Sequence, residues 1–266
     1  MDFLRPPAVA GLFYPGTADD LRQTVARFLA AAPQPGRAEV PKAVVVPHAG
    51  YVYSGPVAAA AYRWLEPFRD RLTRVVLLGP AHRVAVRGLV LPGASAFETP
   101  LGRVPVEPGA SADLAGLAGT APQAHEAEHS LEVQLPFLQV VLGSFSLVPL
   151  VVGRAPPAEV AGVLDRLWGG PETLVVVSTD LSHYHSDDQA RWMDKATAAA
   201  IESFRPVDGE QACGAAPLNG FLLAAQARGL GVRRTALATS GDTSGDRHRV
   251  VGYGSWVFFE GGRDGS

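Results

Sequence analysis

The chain contains a single cysteine, Cys213, in 266 residues, so an internal disulfide is excluded and a reducing compartment is expected. Excess charge of either sign is missing too. Lys and Arg number 23 against 26 Asp and Glu, for a net charge of -3, which argues against nucleic acid or an anionic membrane surface as a partner. Long apolar runs are absent: the stretches at 147–152 and 174–177 fall far short of the ~20 residues that cross a bilayer. The opening MDFLRPPAVAGLFYPG has no basic patch followed by an apolar run, so no secretory signal is expected. A cytoplasmic protein is the resulting expectation. There is no Walker loop, no Gly-x-Gly-x-x-Gly behind the first strand and no Gly-x-Ser-x-Gly elbow. Nucleotide binding and serine hydrolysis on an α/β-hydrolase fold are therefore poor fits.

What is present is material for a core. Hydrophobic residues make up 47% and charged residues 18%, a balance that argues against disorder. No linker or internal repeat interrupts the chain, which reads as one domain over 1–266 with a polar tail at about 261–266. Short β-branched runs at 42–46, 74–78, 146–152 and 174–178 fit strands buried on both faces, as in a parallel sheet. Further strands are expected at 86–91, 102–106, 233–239 and 250–260. Helices are expected from Thr17, whose side chain can cap, to about Ala31, and at 58–65, 130–142, 157–167, 187–204 and 217–228. Residues 32–39, with Pro33 and Pro35, read as a loop. Such alternation predicts an α/β fold with a mostly parallel central sheet flanked by helices.

The chemistry gathers just past the ends of three of these strands. The first ends in Pro47-His48, the second in Gly79-Pro80-Ala81-His82 and the third in Thr179-Asp180-Leu181-Ser182-His183. Open α/β sheets bind ligands at their carboxyl edge. A lone His at a strand end is ordinarily a cap or loop residue, but three equivalent positions point to function. Neutral imidazole is the commonest protein ligand of first-row transition metals, and two His plus one anionic ligand would leave open positions for substrate. Cys213, Asp180 and the pair Glu126 and Glu128 are the candidates for that third ligand. Cys213 precedes a helix start, which favours the thiolate; an inert buried cysteine is the plainer alternative. Asp180 and His183 suit proton transfer, an imidazole oriented by a carboxylate being tuned for it. His129 opens an amphipathic helix and can face the same cleft. Tyr51 and Glu128 are expected on its substrate side, while His125, His185 and His248 follow no pattern.

The strings RPPAVAGLFYP, VPHAGYVYSG, LLGPAHR, EHSLEVQLPFL, STDLSHYH and ACGAAPL, in this order, resemble the Memo family, whose microbial members are called AmmeMemoRadiSam system protein B. The resemblance runs from Arg5 to about Phe259. It implies a fold shared with class III extradiol dioxygenases, non-haem iron enzymes whose iron sits on two His and a Glu. In the Memo family a cysteine takes the third position, so the resemblance implies His48, His82 and Cys213 as metal ligands, with Fe(II) expected and copper the alternative. It implies an acid–base role for His183 with Asp180, and a pocket role for His129. Ring cleavage does not follow, because fold likeness does not carry function. The family name further implies a radical SAM protein and an Amme-domain protein as partners. Three readings result: a metal-dependent redox enzyme acting on a small or peptidyl substrate, with His183 steered by Asp180; a non-catalytic metal- or peptide-binding scaffold subunit; and a hydrolase with Cys213 as nucleophile.

Overall fold

The four β-branched runs lie side by side in space. The computed structural model describes residues 3–36 and 39–261; part of the expected 32–39 loop and the polar tail beyond 261 lie outside the described residues. Pro41–Val46, Thr173–Ser178, Arg74–Pro80 and Ser146–Val152 are neighbours in that order, all parallel. Their residues alternate between two cores, as period-two geometry requires. Val44 and Val46 enter one core, together with Val75, Leu77, Leu174 and Val176; Ala43 and Val45 enter the other, with Val76, Leu78, Val175 and Val177. Both faces are apolar, which is why the sequence shows unbroken hydrophobic runs instead of alternation.

Helices cover both faces. Ala18–Ala31 buries Leu21, Val25 and Leu29 on the first, where Tyr51–Tyr62 and Leu135–Leu142 also pack; Pro157–Leu167 and Ala215–Ala227 cover the second. Thr17 caps the first helix as expected, its hydroxyl accepting the Asp20 N–H. The sheet is mixed at its flanks. Val250–Phe259 runs antiparallel to Pro41–Val46 and carries Gly231–Thr239 on its other side, and Leu89–Leu91 runs antiparallel to Ser146–Val152.

Two helices differ from expectation. The one expected at 58–65 begins at Tyr51, before Gly55 and Pro56, because burial of Tyr51 and Ala58–Ala61 overrides their poor helix propensity. The one expected at 130–142 opens as a 3-10 turn, Glu132–Gln134, which places Pro136 in the first turn of the α-helix, where no N–H is needed. The short strand His183–His185 was not foreseen; it pairs with Val250–Phe259 through a bulge, with Tyr184 at φ 65°.

Candidate metal centre

Register brings the three strand ends together. Val46 pairs with Ser178 and Leu78 with Val177, so the segments carrying His48, Asp180 and His82 leave the sheet side by side. His48 is almost fully buried, 2% exposed, and its Nδ1 lies 2.9 Å from Ser178 Oγ. Its Nε2 lies 3.4 Å from Cys213 Sγ. The His82 side chain, 28% exposed, is held by one carboxylate: its backbone N–H donates to Glu128 Oε2 at 2.6 Å, and Nδ1 lies 3.0 Å from Oε1. Burial pushes the Glu128 carboxyl up. Hydrogen bonds from the His82 ring and from the Ser130 and His82 amides outweigh it and hold the pKa at about 2. An ionised carboxylate only accepts, so His82 Nδ1 is the nitrogen that donates to Glu128, which leaves Nε2 outside this contact.

One ring nitrogen of His48, one of His82 and the sulfur of Cys213 lie within 4.8 Å of one another. Cys213 reaches this point because Gly214 follows it. A Cβ at Gly214 would stand 2.7 Å from Thr179 Cβ and 2.8 Å from the Ser178 carbonyl oxygen, closer than any side chain tolerates. The Gly214 N–H donates to Thr179 Oγ1 at 2.9 Å, and the Asp180 N–H donates to Cys213 Sγ at 3.3 Å. The expected lowering of the thiol pKa by the helix start at Ala215 is overridden. Burial first, then the neighbouring Asp180 carboxylate, pushes the thiol up to about 12. The metal-free chain therefore keeps Cys213 protonated at neutral pH.

Asp180 is buried, which raises its pKa; Oδ1 accepts the His48 N–H at 2.7 Å and Oδ2 lies 4.0 Å from His48 Nε2. The ring of His183 is turned by the Leu181 carbonyl, 2.7 Å from Nδ1, and not by an Asp180 hydrogen bond. The charge interaction between the two favours the ionised form of Asp180, against burial. Since a carbonyl only accepts, His183 Nδ1 donates, which leaves Nε2 outside this bond. His129 stacks on His82 with centroids 4.9 Å apart and meets His48 edge-on. Its Nδ1 is buried, 3.5 Å from Glu128 Oε1, with no hydrogen-bond partner among the described residues. Burial, then electrostatic coupling to the neighbouring His48 ring, pulls the His129 pKa down to about 4; burial, then coupling to His82, takes His48 to about 3, so both rings are neutral at neutral pH.

The other candidates have their polar atoms engaged within the fold or lie outside the His–His–Cys cluster. Tyr51 is buried, its hydroxyl donating to the Val133 carbonyl at 2.8 Å. Glu128 spends its oxygens on His82 and on the His129 and Ser130 amides. Glu126 is exposed and outside the cluster. A cavity of about 390 Å³ lined by Arg191, Asp194, Lys195 and Arg234 shares no residue with the histidine cluster.

Sequence reasoning passed over Ser178, Gln134, Arg5 and Glu132. Arg5 is buried in an ion pair with Glu132 and donates to the His125 and Glu128 carbonyls. Glu132 also accepts the Ala8 and Val9 amides, at 2.8 and 3.0 Å, and the Tyr14 hydroxyl. For Gln134 the burial, though not the role, had a signal: it stands three residues after Leu131 and four before Leu138, on the apolar face of that segment.

Fold and site together define a class, an α/β protein with a His–His–Cys cluster at the carboxyl edge of its parallel strands. The family described as Memo-like protein matches residues 5–257. MEMO1 family proteins of Thermotoga petrophila and Methanopyrus kandleri are 35% and 36% identical to this chain, over 96% and 97% of it and 99% of each relative. One from Sulfolobus acidocaldarius is 35% identical over 94% of this chain and 97% of its own. Among solved structures, an uncharacterized protein of Escherichia coli K12 aligns with 82% of this chain and 98% of its own, at 15% identity and a TM-score of 0.49. The chain belongs to the Memo family. No helix among the described residues is long and apolar enough to cross a membrane.

Proposed function

We propose that this protein is a metal-dependent redox enzyme in which His48, His82 and Cys213 hold one Fe(II), with copper the alternative, beside a small or peptidyl substrate. One observation carries the reading: two imidazoles, each with Nδ1 engaged by a protein oxygen, share a point in space with a cysteine sulfur. Nδ1 tethering is the usual way a protein orients a ligating histidine. Two nitrogens and one sulfur suit a borderline-to-soft transition ion, and the three side chains leave coordination positions unfilled by protein. Such an ion, when bound, supplies Lewis acidity and redox chemistry.

The chain's own groups supply the rest. His183 offers Nε2 as a proton acceptor, fixed by the Leu181 carbonyl. His129, neutral and wedged between His82 and Phe13, offers a hydrogen-bonding nitrogen beside the cluster. Asp180 holds the His48 backbone and stands next to the site. The Memo likeness adds a radical SAM protein and an Amme-domain protein as partners in a shared pathway. The 3.4 Å approach of Cys213 Sγ to His48 Nε2 also suits a thiol–imidazole nucleophile, but a thiol pushed up to about 12 is a poor one at neutral pH.

Elemental analysis of anaerobically purified protein tests the reading. About one iron or copper per chain is expected in the wild type, lost in His48→Ala and Cys213→Ser with the far-UV circular dichroism unchanged. Full metal content in His48→Ala sinks the assignment.

A further inference from the structure

Hydrogen-bond arithmetic around His48 extends beyond the cluster. Ser178 Oγ owns one proton and two lone pairs. It stands 2.6 Å from the Ser130 carbonyl oxygen, which only accepts, so the hydroxyl proton goes there. Gln134 Nε2 lies 2.9 Å from the Pro47 carbonyl oxygen and 2.8 Å from Ser178 Oγ. The Pro47 carbonyl also only accepts, so the amide nitrogen and not its oxygen faces this way; the oxygen takes the Tyr62 hydroxyl at 2.9 Å. Gln134 thus donates to Ser178. One lone pair of Ser178 Oγ remains, and His48 Nδ1 faces it at 2.9 Å. The only assignment without a donor–donor or acceptor–acceptor clash puts the proton on His48 Nδ1. Tyr62, Gln134 and Ser178 are all fully buried, so water cannot substitute for any of these partners.

We propose that Gln134 and Ser178 are positioning residues that hold His48 as its Nδ1–H tautomer and so present the Nε2 lone pair to Cys213 and the cluster. The inference rests on the metal reading for its purpose, though not for its proton assignment. Glu128 performs the same task for His82 with a charged acceptor, whereas His48 receives it from a neutral hydroxyl whose own proton is taken by Ser130. In both rings the nitrogen left for the cluster is then Nε2. Removing the Ser178 hydroxyl leaves His48 Nδ1 without an acceptor, and the ring then gains by moving the proton to Nε2, where Cys213 Sγ at 3.4 Å and Asp180 Oδ2 at 4.0 Å are the neighbours.

The test uses the full chain with 15N-labelled histidine, its His48 signals assigned by their loss in His48→Ala. In the metal-free wild type, long-range 15N–1H spectra should show His48 with a protonated Nδ1 and an unprotonated Nε2. In Ser178→Ala the proton should shift towards Nε2. Cobalt(II) affinity, read by competition with a chromophoric chelator, should fall about 10- to 100-fold in Ser178→Ala and in Gln134→Met, the latter being close in volume and a check should the former misfold. A protonated Nε2 on His48 in the wild type overturns the proposal, as does wild-type tautomer and affinity in both variants. If the wild type shows the expected tautomer but binds no cobalt, the metal reading fails and the proton assignment stands.

Discussion

At the scale of single residues, the site is governed by where protons sit. His48, His129 and His125 are buried neutral imidazoles, and Glu128 is a buried carboxylate kept ionised by its donors. His125 lies outside the cluster, its Nε2 donating to the Val90 carbonyl at 2.9 Å, and burial lowers its pKa from 6.5 to about 4. The unfolded chain therefore takes up this proton first as pH falls. Stability from His125 is complete above pH 6.5 and is lost between 6.5 and 4, an effect of about 3 kcal/mol. For Glu128, depressed from 4.5 to about 2, stability is complete above pH 4.5 and is lost as pH falls towards 2. Guanidinium unfolding midpoints should fall steadily on acidification from pH 6.5, and His125→Gln should flatten the 6.5–4 part of that profile. An unchanged slope in the variant would assign the loss to other groups.

At the scale of elements, the strand ends deliver donors and the loops between them set the distances. The segment 213–214 is pressed against the end of Thr173–Ser178, and Gly214 is the residue that allows it. Gly214→Ala should force the loop outward, lower the unfolding free energy by about 1–3 kcal/mol and cut metal content well below that of the wild type. Retained metal with normal stability would show that the loop yields without moving Cys213. The neighbouring turn 181–183 is fixed by backbone, the Leu181 N–H donating to the Gly252 carbonyl and the Gly252 N–H to the Ser182 carbonyl, both at 2.8 Å. His183 is thus mounted on the antiparallel flank of the sheet and His48 and His82 on its parallel centre. The proposed proton acceptor and the proposed ligands approach from different elements.

At the scale of the molecule, the first motif and the fourth, more than a hundred residues apart, are joined by one buried ion pair. Arg5 and Glu132 tie the segment 5–14 to the turn that carries Glu128 and His129. Breaking a buried pair strands its partner charge, at a cost of about 3–5 kcal/mol. Arg5→Ala should therefore lower the unfolding free energy by that amount, read from denaturant titration, and loosen His82 through Glu128, weakening metal retention. A stability loss below about 1 kcal/mol would mean that the N-terminal segment is held by packing alone.

Much of this was legible in the chain. Unbroken β-branched runs fixed an α/β sheet with a parallel centre, because only strands buried on both faces tolerate them. His48, His82, Asp180 and His183 could be selected because each follows such a run. Residue types alone could not choose among Cys213, Asp180 and the Glu126–Glu128 pair, since that choice depends on distances across as many as 165 positions of sequence. Glu128 and Tyr51, expected at the substrate, have their polar atoms bound within the fold. The roles of Ser178 and Gln134 were invisible, because a serine at a strand end and a glutamine in a helix acquire a direction for their protons only when every neighbour is in place. Sequence by itself determined the layers, the strand order along the chain and the donors at the sheet edge, which follow from local periodicity. Tertiary structure decided which donors meet, which nitrogen each histidine offers and whether Cys213 keeps its proton, because these depend on burial and on hydrogen-bond partners supplied by distant segments.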